Sequence, residues 1–218
     1  MSIKIMIVDD HESARLGVRY LIEKTNVDMT IVGEANNGYL ALEMVADLRP
    51  DIVIMDVSMP ELNGIETTRK IMRDYPQSKV IALSIYKRTS MVVEMLKAGT
   101  SGYILKENIS EDLVTAIKAA LSDKIYLSPE INGIIVADYV GGNLPRTTES
   151  ISPNLTPRER EILQRLAEGH HVKGIAQSLG LSPKTIESIR SKIAKKLKTS
   201  NLAEMTKYAI REGLTTIN

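Results

Sequence analysis

Ile3-Lys4-Ile5-Met6-Ile7-Val8-Asp9-Asp10 decides the reading of this chain: a short Ile- and Val-rich run that stops on two carboxylates. Short apolar runs bounded by polar residues are the pattern of strands buried on both faces of a parallel sheet. Four more such runs follow at residues 30–33, 52–55, 80–83 and 103–105. Helix-length stretches lie between and after them, near 12–25, 38–48, 64–75, 88–98 and 110–122. Leu40, Ala41, Met44, Val45 and Leu48 make one apolar stripe, and Leu113, Ile117, Ala120 and Leu121 make another. Ser110 is the expected N-cap of the last stretch, with Glu111 and Asp112 in its first turn. Five βα pairs predict an α/β domain over residues 1–122, a doubly wound five-stranded parallel sheet with helices on both faces.

The texture then changes. Residues 123–152 read as a linker, with a helix near 129–140 after Pro129 and a polar stretch of Gly, Pro, Ser and Thr beyond it. Residues 153–218 read as an all-α domain of four helices. Thr156-Pro157-Arg158-Glu159 is a capping box with Pro at the first helical position. A short helix is predicted at 172–179. Gly180-Leu181-Ser182-Pro183 is a turn, with Ser182 capping a helix that runs to Leu197. A last helix spans 201–212 and stops at Gly213.

Charge follows the same division. Residues 1–154 hold 16 Lys and Arg against 21 Asp and Glu, a net of −5, and residues 155–218 hold 12 against 6, a net of +6. An acidic domain joined to a basic one points to different partners for each. The chain has no Cys, which excludes disulfides, thiolate metal sites and thiol catalysis. With three His, a His-built metal site is disfavoured. No apolar run approaches membrane-spanning length, and Met1-Ser2-Ile3-Lys4 shows no leader pattern, so a cytoplasmic, non-membrane protein is expected.

Ligands of open parallel sheets bind outside the carboxyl ends of the strands. The predicted strands end in Asp9-Asp10, Asp56, Ser84 and Lys106. Converging carboxylates repel one another unless a cation lies among them, and an all-oxygen set suits Mg2+. A carboxylate so placed can attack phosphorus and become an aspartyl phosphate, while an ammonium offsets charge on the phosphoryl oxygens.

An isolated Asp at a strand end serves equally as a helix cap. The ordered set is more specific. Val8-Asp9-Asp10-His11-Glu12, Asp56-Val57-Ser58-Met59-Pro60, Gly64, Ser84, Tyr103 and Lys106 together resemble the receiver domain of bacterial two-component response regulators. The resemblance implies that Asp56 accepts a phosphoryl group from a sensor histidine kinase. It implies that Asp9, Asp10, Asp56 and the Ser58 carbonyl hold Mg2+, and that Ser84, Tyr103 and Lys106 bind or sense the phosphoryl group. One departure is Glu107, where many receivers place a proline in a cis bond after the lysine. A cis bond before a non-proline costs about 2.5–4 kcal/mol, so a trans bond is expected.

In the predicted helix 183–197, Ile186, Ile189, Ile193 and Leu197 recur at core spacing. The other face carries Lys184, Glu187, Ser188, Ser191, Lys192, Lys195 and Lys198. A short helix, a Gly turn and a basic helix read as a helix-turn-helix. Leu155-Thr156-Pro157-Arg158-Glu159, Ala167-Glu168-Gly169, Ile175-Ala176, Leu179-Gly180-Leu181-Ser182 and Lys184-Thr185-Ile186 resemble the LuxR-type DNA-binding domain. A receiver followed by this domain is similar to the NarL/FixJ class of transcriptional regulators.

That resemblance implies double-stranded DNA as a partner and a homodimer when phosphorylated or on DNA. Lys184, Glu187, Ser188 and Ser191 are the candidates for base edges. Arg190, Lys192 and Lys195, with Lys173 and Thr185 secondary, are the candidates for phosphates. Ala203, Tyr208, Ala209 and Ile210 are candidates either for a dimer contact or for core. Glu187 and Ile189 depart from the family's frequent lysine and histidine. His170-His171 read as exposed loop residues. Two other readings compete: a Mg2+-dependent phosphohydrolase using Asp56, disfavoured because no cap or substrate insertion interrupts 1–122, and a DNA binder indifferent to phosphorylation. RNA is disfavoured because the chain has neither Phe nor Trp to stack on bases.

Overall fold

The computed structural model describes residues 2–141 and 155–215. They form two compact units, divided after Gly141.

In the first unit, strands and helices alternate: β1 (Ile3–Val8), α1 (Glu12–Glu23), β2 (Met29–Ala35), α2 (Gly38–Leu48), β3 (Ile52–Asp56), α3 (Gly64–Asp74), β4 (Lys79–Ser84), α4 (Thr89–Ala98), β5 (Gly102–Leu105) and α5 (Ile109–Leu121). The five expected strands are all present, and every pairing is parallel. A sixth, β6 (Tyr126–Leu127), pairs parallel with β5, so the sheet order is β2-β1-β3-β4-β5-β6. The helix α6 (Pro129–Val140) follows it. Residues 123–141, which composition assigns to a linker, are therefore part of the first compact unit.

Alternation along each strand divides the core. Ile5, Ile7, Ile52, Ile54, Ile81 and Leu83 face α1 and α5, where Val18, Ile22, Leu113 and Ile117 cover them. Met6, Val8, Val53, Met55 and Val80 face α2 and α3, under Ala41, Val45 and Ile71. Burial on both faces is what makes the runs continuous in Ile, Val and Met rather than alternating with polar residues.

Local signals fix several helix starts. The Asn37 side chain accepts from Leu40 N, and the Asn63 side chain accepts from Glu66 N at 2.9 Å. The expected Ser110 cap is not formed. A 3-10 turn over Lys106–Asn108 leads directly into α5 at Ile109, which places Ser110 inside the first turn. Asp10 is not a cap either: the residue preceding α1 is His11, without a side-chain cap.

The second unit is α7 (Pro157–Ala167), α8 (Val172–Ser178), α9 (Pro183–Leu197) and α10 (Leu202–Arg211). Its core joins Leu155, Ile162, Leu163, Leu166, Ile175, Ile186, Ile193, Met205 and Ala209. The capping box forms in both directions: Glu159 N donates to Thr156 Oγ1 at 3.2 Å, and Thr156 N donates to Glu159 Oε2 at 2.7 Å. The turn before α9 uses Gly180 at φ +62°, and Ser182 caps α9 by accepting from Thr185 N at 3.1 Å.

Candidate functional site

In the order β2-β1-β3-β4, the connection leaving β1 runs to one side and the connection leaving β3 runs to the other. The crevice at the carboxyl ends of β1 and β3 is thus the topological switch point where a ligand fits. Asp9 and Asp10 follow β1, and Asp56 closes β3. Asp9 and Asp56 are buried and Asp10 is partly exposed.

Lys106, just beyond β5, spans the two buried carboxylates. Its Nζ lies 2.6 Å from Asp9 Oδ2 and 2.6 Å from Asp56 Oδ1. The other oxygens are held by backbone: His11 N donates to Asp9 Oδ1 at 2.9 Å, and Ser58 N donates to Asp56 Oδ2 at 3.0 Å. Burial pushes the Asp56 carboxyl up to about 6, against the lowering pull of Lys106 and with added repulsion from Asp9. Burial pulls Lys106 down, but the Asp56 and Asp9 carboxylates outweigh it and hold the ammonium above its ordinary range. The bond from Lys106 to Glu107 is trans, as expected without proline.

Gly64 closes one side of this site. A Cβ there would lie 2.0 Å from the Asp56 carbonyl oxygen, and Gly64 N donates to Val57 O at 3.0 Å. Arg15, which the sequence did not mark, ties the rim from α1: its Nη1 donates to Asp9 O at 2.8 Å and its Nε to Glu34 Oε2 at 3.2 Å.

Ser84 and Tyr103 form a connected pair. Ser84 Oγ accepts from Tyr86 N at 3.0 Å and the Tyr103 phenol donates to Tyr86 O at 2.9 Å, so both side chains hold Tyr86. Tyr103 is wholly buried, turned inward among Val57, Ile65, Ala82, Met91 and Met95. Burial raises its phenol to about 12, with Ser84 opposing and Asp56 adding to the rise.

The acidic donor set is suited to a hard cation. Asp9, Asp10 and His11 offer ligand atoms within 4.8 Å of one another, and Asp56 shares the Lys106 ammonium with Asp9. The carboxylate oxygens match Mg2+ chemistry; the exposed His11 imidazole does not, and it instead lies 3.0 Å from Asp10 Oδ1.

On α9, Ile186 and Ile193 are buried and Ile189 and Leu197 pack against the core, as their spacing requires. Lys184, Thr185, Glu187, Ser188, Ser191, Lys192 and Lys195 are exposed, and Arg190 is half-buried. Lys173 is exposed on α8. Two candidates are partly engaged within the helix: Ser191 Oγ donates back to Glu187 O at 3.0 Å, and Arg190 Nη1 lies 3.6 Å from Glu187 Oε1. Lys196, in the same basic run, points the other way and binds Glu159 Oε2 at 2.6 Å, bracing α9 on the capping box of α7. On α10, Ala209 is core and Tyr208 packs against the core with the Arg211 guanidinium 5.3 Å over its ring; Ile210 is half-buried and Ala203 is exposed.

Two family models match these two regions: the response regulator receiver domain over residues 5–118, and the luxR family of bacterial regulatory proteins over residues 153–209. This chain is a LuxR-type response regulator. Related regulators align over almost all of it. Response regulator UvrY of Escherichia coli is 34% identical over 212 residues, covering 97% of this chain and 95% of that protein. Response regulator GacA of Pseudomonas aeruginosa is 32% identical, covering 97% of each. Among solved structures, the RcsB response regulator of Salmonella typhimurium superposes with a TM-score of 0.65 at 26% identity, covering 95% of this chain and 96% of that one. The regulator thus acts in two-component signalling and regulates transcription through a LuxR-type helix-turn-helix. None of the helices among the described residues is long and apolar enough to cross a membrane.

Proposed function

We propose that the regulator takes a phosphoryl group on Asp56 from a partner histidine kinase and that this event controls dimerisation and sequence-specific binding to double-stranded DNA. The observation that carries the reading is the Lys106 ammonium lodged between the Asp9 and Asp56 carboxylates, with Ser84 at the end of the neighbouring strand β4. A carboxylate oxygen of Asp56 attacks the phosphorus of a phosphohistidine; the P–O bond forms, the P–N bond breaks, and the imidazole leaves with the bonding pair. Lys106 then follows the charge to the phosphoryl oxygens, and the Ser58 N–H remains aimed at the acceptor. Asp9, Asp10, Asp56 and the Ser58 carbonyl are the groups that would hold Mg2+, which when bound supplies positive charge to the phosphoryl oxygens. The chain's own catalysis is confined to taking up this group and slowly losing it to water.

Ser84 Oγ is drawn to the new oxygens, and its bond to Tyr86 N is what it gives up. Added charge so biases the packing around Tyr103. On DNA, Lys184, Glu187 and Ser188, exposed on α9, contact base edges, with Ser191 limited by its bond to Glu187 O. Lys192, Lys195, Arg190, Lys173 and Thr185 contact phosphates. Ala203 on the exposed side of α10, with half-buried Ile210 two turns on along the same face and half-buried Tyr208 further round the helix, is the candidate dimer contact. Solved complexes of RcsB describe it bound to DNA, in one case as two dimers on two parallel DNAs, and support the same use here.

The deciding measurement is a DNA-binding titration against a pool of genomic fragments, with and without Mg2+ plus beryllofluoride, a phosphoryl mimic. Affinity for selected fragments rises with the mimic, and Asp56→Asn removes the rise. Equal selective binding in both conditions would mean that DNA binding is independent of Asp56.

A further inference from the structure

The helix α6 hangs from the same segment that Ser84 must pull on. Lys87, three residues beyond Ser84, lies 2.7 Å from Glu107 Oε1 and 2.5 Å from Glu130 Oε2 in the first turn of α6. Thr89, at the start of α4, donates its hydroxyl to Asp138 near the end of α6. Both ends of α6 are thus tied to the chain that leaves β4. The apolar support between them is thin: Ile131 is the one buried residue of α6, packed with Ile135 and Leu127 into the cluster around Tyr103. Backbone continuity adds to the connection. Ser128 N donates to Tyr103 O at 3.0 Å, and Ser128 Oγ accepts from Leu105 N at 3.1 Å.

We propose that Lys87–Glu130 and Thr89–Asp138 are a latch that holds α6 on the receiver in the unphosphorylated regulator and that phosphorylation of Asp56 opens it. The inference rests on the function proposed above and adds to it the element that answers. When Ser84 Oγ turns to the phosphoryl group it abandons Tyr86 N, so residues 85–88 lose one of their two anchors, the other being the Tyr103 phenol on Tyr86 O, and Lys87 and Thr89 are carried with them. Glu107, the other partner of Lys87, adjoins Lys106, which moves with the same oxygens. An exposed ion pair and one side-chain hydrogen bond are weak ties, and weak ties are what a modest population shift can break. The released helix leads directly into the connection to the DNA-binding unit, which makes α6 the first part of that connection to change.

Coupling between two sites is reciprocal: if the phosphoryl group opens the latch, the closed latch opposes the phosphoryl group. The test uses the full-length protein with Mg2+ and beryllofluoride as the probe. Amide hydrogen exchange in residues 130–140 accelerates when the wild-type protein is saturated with the mimic. The E130Q/D138N variant exchanges rapidly there without it and binds beryllofluoride about 3- to 10-fold more tightly, within the range of ordinary allosteric coupling. Thr89→Val cuts one tie from the α4 side and shifts both readings in the same direction, which guards against a folding defect in the double variant. Beryllofluoride binding that leaves exchange in α6 unchanged, or unchanged affinity in both variants, overturns the latch and leaves the Asp56 reading standing. Absence of beryllofluoride binding in the wild-type protein overturns both.

Discussion

At the edge of the sheet, Asp9 and Asp56 are buried and share a single ammonium; along α9, Lys184, Lys192 and Lys195 stand in water around one carboxylate, Glu187. In the first region charge is held by the fold, so each group has a fixed partner and removing one leaves another uncompensated in a poorly solvated place. In the second region charge is a property of a face, and any one residue is a small part of it. The buried region is built for chemistry at a point; the exposed one is built for contact along a polymer.

The largest expected effect comes from breaking the buried partnership. Lys106→Met leaves two buried carboxylates facing each other without the cation and costs up to about 3–5 kcal/mol of stability. Urea denaturation of the variant in EDTA measures the loss, and added Mg2+ recovers part of it. A variant as stable as the wild type in EDTA contradicts the pairing described at the rim.

Gly64→Ala tests the same region through shape alone. With its Cβ 2.0 Å from the Asp56 carbonyl oxygen, the backbone of β3 or α3 must move, at a cost of about 1–3 kcal/mol. Phosphoryl labelling from acetyl phosphate slows with it, because the displaced carbonyl belongs to Asp56, the proposed acceptor. Unchanged labelling and stability together count against a tightly built acceptor site.

Glu159→Gln probes a buried charge within the basic unit and sharpens the contrast. Burial raises the Glu159 carboxyl, but the Lys196 ammonium and the Thr156 N–H hold it below its usual range. A carboxyl depressed in the folded state adds stability above its unfolded value and loses it as pH falls through the folded one. The variant is therefore less stable by about 1 kcal/mol at neutral pH, and the difference from wild type closes in acid. Thermal melts at several pH values read this directly; a difference independent of pH contradicts a charged bridge.

The smallest effect on any single affinity belongs to the exposed face. Lys192→Ala weakens binding to all DNA sequences alike and lowers the slope of log affinity against log salt by about 1. The folded domain keeps its stability within about 0.5 kcal/mol. Loss of selectivity instead of slope would move Lys192 from the phosphates to the bases.

The two regions also differ in how they can be read from the sequence. The rim was legible because strand ends are legible: a two-sided buried strand is a continuous apolar run, and Asp9, Asp56, Ser84 and Lys106 are the first polar residues after four of them. The basic face was legible as a face, through the spacing of Ile186, Ile189, Ile193 and Leu197, but its members were not separable. Nothing local marks Lys196 as structural, since its partner Glu159 lies 37 positions away. Similarly, β6 is two residues long, too short to register as a run, and α6 is apolar around most of its circumference, so no stripe shows which side packs. Those two gaps have one origin: both elements are fixed by tertiary partners, Ser101 and Tyr103 for β6 and Lys87 and Thr89 for α6, rather than by periodicity.

With neither Trp nor Phe in the chain, the eight tyrosines alone supply its near-ultraviolet spectrum. Tyr103 is among the largest wholly buried side chains and lies in the path from Asp56 to α6. Burial pushes its phenol up to about 12, as it does that of Tyr126. The regulator therefore carries its own chromophore at the centre of the proposed switch, and near-ultraviolet circular dichroism can test for the proposed rearrangement without any label attached.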